Sequence, residues 1–174
     1  PVQVEYEEGE RLLDLLRERL GITSVKNGCG TGACGSCTIL VNGKVRRACT
    51  LDPAKVAGQA VTTVEGLPQP HALVVATSLA HGGAVQCGFC TPGMVVAATA
   101  LLLKNPDPDE GAVRKALRGN LCRCTGYGRI VAGVLDAAGR LRDGMGLAPA
   151  PVGGRVGKPA CREGDLRRTL GTHP

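Results

Sequence analysis

Thirteen residues, KNGCGTGACGSCT at positions 26–38, constrain this chain more than any other stretch. They put Cys29, Cys34 and Cys37 in one glycine-laced loop, and Cys49 follows after a short strand-like run, for an overall spacing of C-x4-C-x2-C-x11-C. That is the plant-type spacing by which four cysteine sulfurs hold a [2Fe-2S] cluster. The glycines fit the same purpose. A loop wrapped around a compact anion needs backbone with positive φ and no Cβ in the way, which Gly28, Gly30, Gly32 and Gly35 would allow. Their N–H groups can then point inward and form a nest for negative charge.

The remaining cysteines decide between metal and disulfide. Nine in 174 residues could serve either. They cluster in C-x2-C and C-x-C pairs beside glycine, no secretory hydrophobic segment opens the chain, and an odd count suits eight ligands and one spare. Metal is the expectation. Aromatic residues make up only 2% of the sequence, so aliphatic side chains, alanine and metal centres must supply what aromatic packing usually does.

The formal charge of +6 could suggest nucleic acid. Two oxidised clusters, at about −2 each with their thiolates, would bring it down to about +2. Much of the excess is also local, with seven Lys or Arg against three Asp or Glu in residues 140–174. No basic stripe interleaved with aromatics is present to stack bases, and no apolar run reaches the ~20 residues of a membrane span. Nucleic-acid binding and membrane insertion are therefore not expected, and the cytoplasm is the expected compartment.

Along the chain, Val2, Val4 and Tyr6 alternate with polar residues and predict a strand. Leu12, Leu13, Leu16 and Leu20 predict a helix stopped by Gly21. Thr38–Val41 and Lys44–Arg46 flank Asn42-Gly43, a strong hairpin signal, and Val61–Val64 offers one more strand. Residues 1–66 thus read as a small sheet crossed by one helix, with Gly66, Pro68 and Pro70 marking a boundary. From His71 the periodicity turns helical. Helices are expected from His71 to Gly82-Gly83, from Gly93 to Lys104, through Leu117 behind Asp107, Asp109 and Glu110, and from Gly128 to about Leu141, forming a compact antiparallel bundle over 67–143. Residues 144–174 have no period and should run extended as a docking tail.

A second cysteine constellation lies in the helical part. QCGFCTPGM brings Cys87 and Cys90, NLCRCTGYGRI brings Cys122 and Cys124, and each pair sits in a loop entering a helix. A bundle placing those two helix starts side by side would gather the four sulfurs where helix N-termini favour negative charge. The C-x-C pair is unusual for structural zinc, yet on spacing alone zinc and iron–sulfur both stay open.

In their order and spacing, GCGTGACGSCT, QCGFCTPGM and LCRCTGYGRIVAGV resemble the iron–sulfur subunit or domain of the molybdenum hydroxylases, the xanthine oxidase family that includes aldehyde oxidoreductases and aerobic carbon monoxide dehydrogenase. The resemblance spans residues 1 to about 143. It implies an α+β chain in which a plant-ferredoxin-like (β-grasp) domain holds a distal cluster on Cys29, Cys34, Cys37 and Cys49. A four-helix domain would then hold a proximal cluster on Cys87, Cys90, Cys122 and Cys124. Electrons would leave a molybdopterin site on a large subunit, pass the proximal and then the distal cluster, and reach FAD on a medium subunit or an external acceptor. Gln86 and Cys124 would lie against the pterin; for Gln86 the plainer role is to satisfy loop backbone.

Family members usually begin with a strand before Val2–Tyr6, so a first strand is expected to be missing from this sequence, and the tail resembles the segment leading into the molybdenum-binding portion. Cys161, in that tail, is expected to be a free thiol. His71 and His81 are not expected as ligands, Tyr127 is expected to shield a cluster from water, and Arg123 to raise its potential or pair with a partner. A structural zinc module and a free-standing ferredoxin are the competing readings.

Overall fold

In the computed structural model of this chain, residues 1–145 are described; the expected extended tail and Cys161 lie beyond them. The leucine-rich segment forms α1 (Leu12–Asp14), which widens into a π turn over Leu15–Arg19. Leu12, Leu13, Leu15 and Leu16 are all buried, so this short element is held by its apolar face more than by helix propensity. Gly21, at φ +67°, ends it.

The sheet is antiparallel, with β1 (Thr38–Val41) between β2 (Lys44–Arg47) and β3 (Val61–Thr62). Asn42 and Gly43 both adopt positive φ, 48° and 71°, as the two-residue hairpin turn requires. All four β1 side chains are buried. Ile39 and Val41 enter one core with α1, while Leu40 enters a second core with the helices, so one strand serves both halves of the molecule.

Two strand expectations are corrected. Val2–Tyr6 carries no ladder, with Val2 73% and Tyr6 44% exposed. β1 already pairs on both sides, and the segment adds to neither outer edge of the sheet, β2 or β3. Its residues instead border a groove of about 670 Å³ walled by Leu12, Leu16, Leu20, Val56 and Val61. The strand expected at Val61–Val64 ends at Thr62, and Val64–Gly66 turns as a 3-10 helix.

The helical half holds α2 (His71–His81), α3 (Thr91–Leu102), α4 (Glu110–Leu117) and α5 (Gly128–Arg142). α2 packs on α3 and α5, and α4 packs on the same two, which closes a four-helix bundle. TPGMVVAATALL has no charged residue, and α3 is correspondingly buried nearly all round, touching the sheet as well as the bundle. The Asp109 carboxylate accepts from Ala112 N at 2.6 Å and caps α4. No described helix is long and apolar enough to cross a membrane.

Candidate metal centres

Thr31 N–H and Cys34 N–H both point at Cys29 Sγ, at 3.4 Å each, and Gly32 N–H points at Cys49 Sγ at 3.2 Å. This is the inward nest that the glycines suggest, and Gly30, Gly32 and Gly35 have the positive φ expected of them. Gly28 does not. A Cβ there would lie 2.8 Å from Cys34 Sγ and 3.4 Å from Phe89 Cε1, so this position needs glycine for space rather than for φ. Cys37 and Cys49 are buried beneath the loop, while Cys29 is exposed.

The second constellation forms where the starts of α3 and α5 meet. Cys90 is the residue that enters α3, and Cys124 lies four residues before α5. Cys87 and Cys124, both exposed, have their sulfurs 3.6 Å apart. Cys90 and Cys122 are half-buried behind them.

The sulfurs associate two by two. Besides Cys87 with Cys124, Cys37 lies close enough to Cys49, Cys90 to Cys122 and Cys29 to Cys34 for the first thiol of each pair to feel the second. No group of three or more Cys, His, Asp or Glu side chains among the described residues gathers as a site for one metal ion. Zinc in a structural site takes its four ligands on one centre, whereas a two-iron cluster takes its cysteines as two pairs, and the pairing observed suits the latter.

Local environment splits the thiols by role. The Thr31 hydroxyl and the backbone N–H groups of Cys34 and Thr31 pull Cys29 down to about 5. Burial pushes Cys37 up to about 11 and Cys90 up to about 12, each further opposed by a neighbouring cysteine. At Cys122 burial is outweighed by hydrogen bonds from Thr125 and from the Cys124 backbone, and its pKa falls. Exposed Cys29 is thus primed as a thiolate, while Cys37 and Cys90 give up their protons only as a metal takes the site.

The two sets are joined more closely than their sequence separation suggests. Leu121 N–H, one residue before Cys122, donates to the Cys34 carbonyl at 2.8 Å. Arg47 Nη2 reaches the Gly119 carbonyl at 2.8 Å, and Phe89, between Cys87 and Cys90, lies beside Gly28 in the first loop. Asn120 hydrogen-bonds to Gly35 and Thr38 of that loop. Arg47 and Asn120 were not legible as site residues, because their partners lie 72 to 85 positions away. Tyr127 acts here through its hydroxyl. Its hydroxyl accepts from Cys122 N–H at 2.9 Å and donates to the Asn120 carbonyl at 3.3 Å.

Gln86 is exposed beside Cys87, and Arg123 is exposed between its cysteines. His81 lies apart from the sulfurs, in a cleft of about 360 Å³ between α2 and α5 with Ser78, Arg129, Asp136 and Arg140.

Known proteins share this architecture. A 2Fe-2S iron-sulfur cluster binding domain matches residues 1–65, and a [2Fe-2S] binding domain matches residues 63–135. The small FeS subunit of nicotinate dehydrogenase from Eubacterium barkeri is 46% identical over 135 residues, covering 77% of this chain and 86% of that subunit. The aldehyde oxidoreductase structure from Desulfovibrio desulfuricans superposes with a TM-score of 0.87 at 39% identity, over 98% of this chain but 20% of its own. Quinoline 2-oxidoreductase from Pseudomonas putida 86 gives a TM-score of 0.73 at 42% identity, over 80% of this chain and 88% of the matched one.

Proposed function

This chain belongs to the iron–sulfur subunits and domains of the molybdenum hydroxylases, and on that footing we propose that Cys29, Cys34, Cys37 and Cys49 hold one [2Fe-2S] cluster and Cys87, Cys90, Cys122 and Cys124 a second. Its function is electron transfer within a molybdenum-dependent oxidoreductase. The observation that carries the ligand assignment is the gathering of the cysteines in two sets, with Cys87 Sγ and Cys124 Sγ 3.6 Å apart across two loops and backbone N–H groups aimed at the sulfurs of Cys29 and Cys49. A bound [2Fe-2S] cluster supplies a one-electron carrier whose potential responds to hydrogen bonds on its sulfurs.

The protein's own residues hold and shelter that carrier. Thr31, Gly32 and Cys34 direct backbone N–H groups at Cys29 and Cys49, which favours the anionic ligand set. The Tyr127 hydroxyl fixes the backbone at Cys122, and the start of α3 presents its N-terminus to the second set. In the domain division we adopt, residues 1–66 are the ferredoxin-like unit, 67–143 the four-helix unit and 144–174 a tail toward the molybdenum-binding partner.

Exposure supports a direction. Cys87, Cys124 and Gln86 lie at the surface, and we assign that face to a molybdopterin-binding large subunit, with Gln86 and Cys124 against the pterin. The surface around Cys29 would pass electrons to FAD on a medium subunit or to an external acceptor. We place the protein in the cytoplasm, where thiols stay reduced until metal takes them.

Anaerobically purified protein should hold about four irons per chain and give two distinguishable EPR signals on reduction. Stoichiometric zinc, or a single iron pair, would sink the assignment. In the complete complex, Cys124→Ser should abolish reduction by substrate while dithionite still reduces the first cluster; normal turnover would refute the pterin contact.

A further inference from the structure

We propose that Asn120 is the positioning residue that sets the separation of the two cysteine sets. The inference rests on reading both sets as cluster ligands. Asn120 is 3% exposed and lies in the short link between α4 and Cys122. Its side-chain Nδ2 donates to the Gly35 carbonyl and to Thr38 Oγ1, at 3.0 Å each. Both amide hydrogens are therefore committed to the first loop. Its backbone is committed to the second half, with N–H donating to the Leu117 carbonyl at 2.8 Å and the carbonyl accepting from the Tyr127 hydroxyl.

The acceptors are equally occupied. Thr38 Oγ1 donates to the Gly35 carbonyl at 2.6 Å and accepts from Arg47 Nη1 at 2.9 Å and from Asn120, which uses the hydroxyl's one hydrogen and two lone pairs. Nor is there slack around the amide. A Cβ on Gly93, in the first turn of α3, would sit 2.6 Å from the Gly35 carbonyl and 3.1 Å from Asn120 Nδ2. The amide thus occupies the point where the loop of the first set, the helix following Cys90 and the link preceding Cys122 touch. An apolar side chain of this size could supply cohesion there. Only directional hydrogen bonds fix the register of the two loops, and a buried network in which both Asn120 amide hydrogens and the Thr38 hydroxyl are paired is suited to that.

Electron transfer falls steeply with distance, so the register fixes how fast the two sets exchange an electron. Magnetic coupling between two reduced clusters depends on the same separation and can be read without turnover. The test uses the full chain, reconstituted anaerobically, in three forms: wild type, Asn120→Leu and Thr38→Val. Asn120→Leu keeps the volume and removes the direction; Thr38→Val removes one acceptor and is the milder change. Both variants should retain wild-type iron content, g-values and reduction potentials, while the inter-cluster splitting in the fully reduced EPR spectrum narrows or broadens, more in Asn120→Leu. If Asn120→Leu does not fold, Thr38→Val decides alone. Wild-type splitting in the folded variants overturns the positioning role and leaves the two-cluster reading intact. Zinc in the wild type overturns both.

Discussion

Replacing Gly35 with alanine should cost far more than the same change at Gly43, although the two glycines have nearly the same backbone. Their φ values are +72° and +71°, so each alanine meets the left-handed penalty of about 1–2 kcal/mol. Around Gly43 a Cβ meets nothing within 4 Å, and that penalty is the whole cost. At Gly35 the same Cβ would overlap the Gly119 carbonyl oxygen and lie 2.9 Å from Asn120 Cα and 3.0 Å from Asn120 Cγ. Backbone atoms cannot rotate away, so the link must lift off the loop. Lifting it breaks Asn120 Nδ2 to Gly35 and Leu121 N–H to Cys34, at about 1–3 kcal/mol for each buried group left unpaired. The sum, about 3–8 kcal/mol, is comparable to the whole stability of a typical domain. Thermal unfolding under anaerobic conditions at one scan rate is the assay. At about 2–4 °C per kcal/mol for a chain of this length, Gly43→Ala should lose about 2–8 °C and Gly35→Ala about 6–32 °C. Equal shifts would refute the claim that this seam, rather than glycine's φ, makes position 35 demanding.

Cys37→Ser should lower iron from about four to about two per chain and spare the second EPR signal, because the two proposed ligand sets share no cysteine; loss of both signals would contradict that separation. Tyr127→Phe takes the acceptor from Cys122 N–H, a cost of about 1–3 kcal/mol, and a chelator challenge should strip iron faster from the second set alone. Asp109→Ala removes the α4 cap and should destabilise by about 1 kcal/mol in a thermal melt while leaving both cluster signals unchanged.

Local sequence carried those parts of the fold whose causes are local. Asn42-Gly43 announced its hairpin, the four bundle helices fall within two residues of their expected limits, and Asp109 caps α4 as its position suggested. The Val2–Tyr6 alternation predicts a strand with one buried face, yet Val2, Val4 and Tyr6 are all exposed, because a strand also needs a neighbour and pairing is not encoded in the segment itself. The π turn at Leu15–Arg19 was also invisible, since the leucine spacing reads equally well as α-helix. For the candidate sites the cysteine spacing marked the loops, since Cys29, Cys34 and Cys37 share one, Cys87 and Cys90 a second and Cys122 and Cys124 a third, while the contact of Cys87 with Cys124 across two loops needed the fold. The seam between them was hidden, since Asn120 and Arg47 look like ordinary loop and strand residues until the fold brings Gly35 and Gly119 to them.

Exposure and linkage together give the molecule a direction along which the proposed clusters act. In the second set the outer pair is Cys87 with Cys124, and the inner pair, Cys90 with Cys122, is turned into the protein. Cys122 follows directly on Leu121, whose N–H bonds the Cys34 carbonyl, so the inner pair is also the one tied to the first set. In the first set Cys37 and Cys49 are buried and Cys29 is exposed beyond them. A chain that only organised a complex would need no polar link between its two thiol groups, and a single-cluster shuttle would need one set. Two sets, each reaching the surface and joined through a partly buried polar seam, form the arrangement expected of a chain that passes an electron through the proposed clusters.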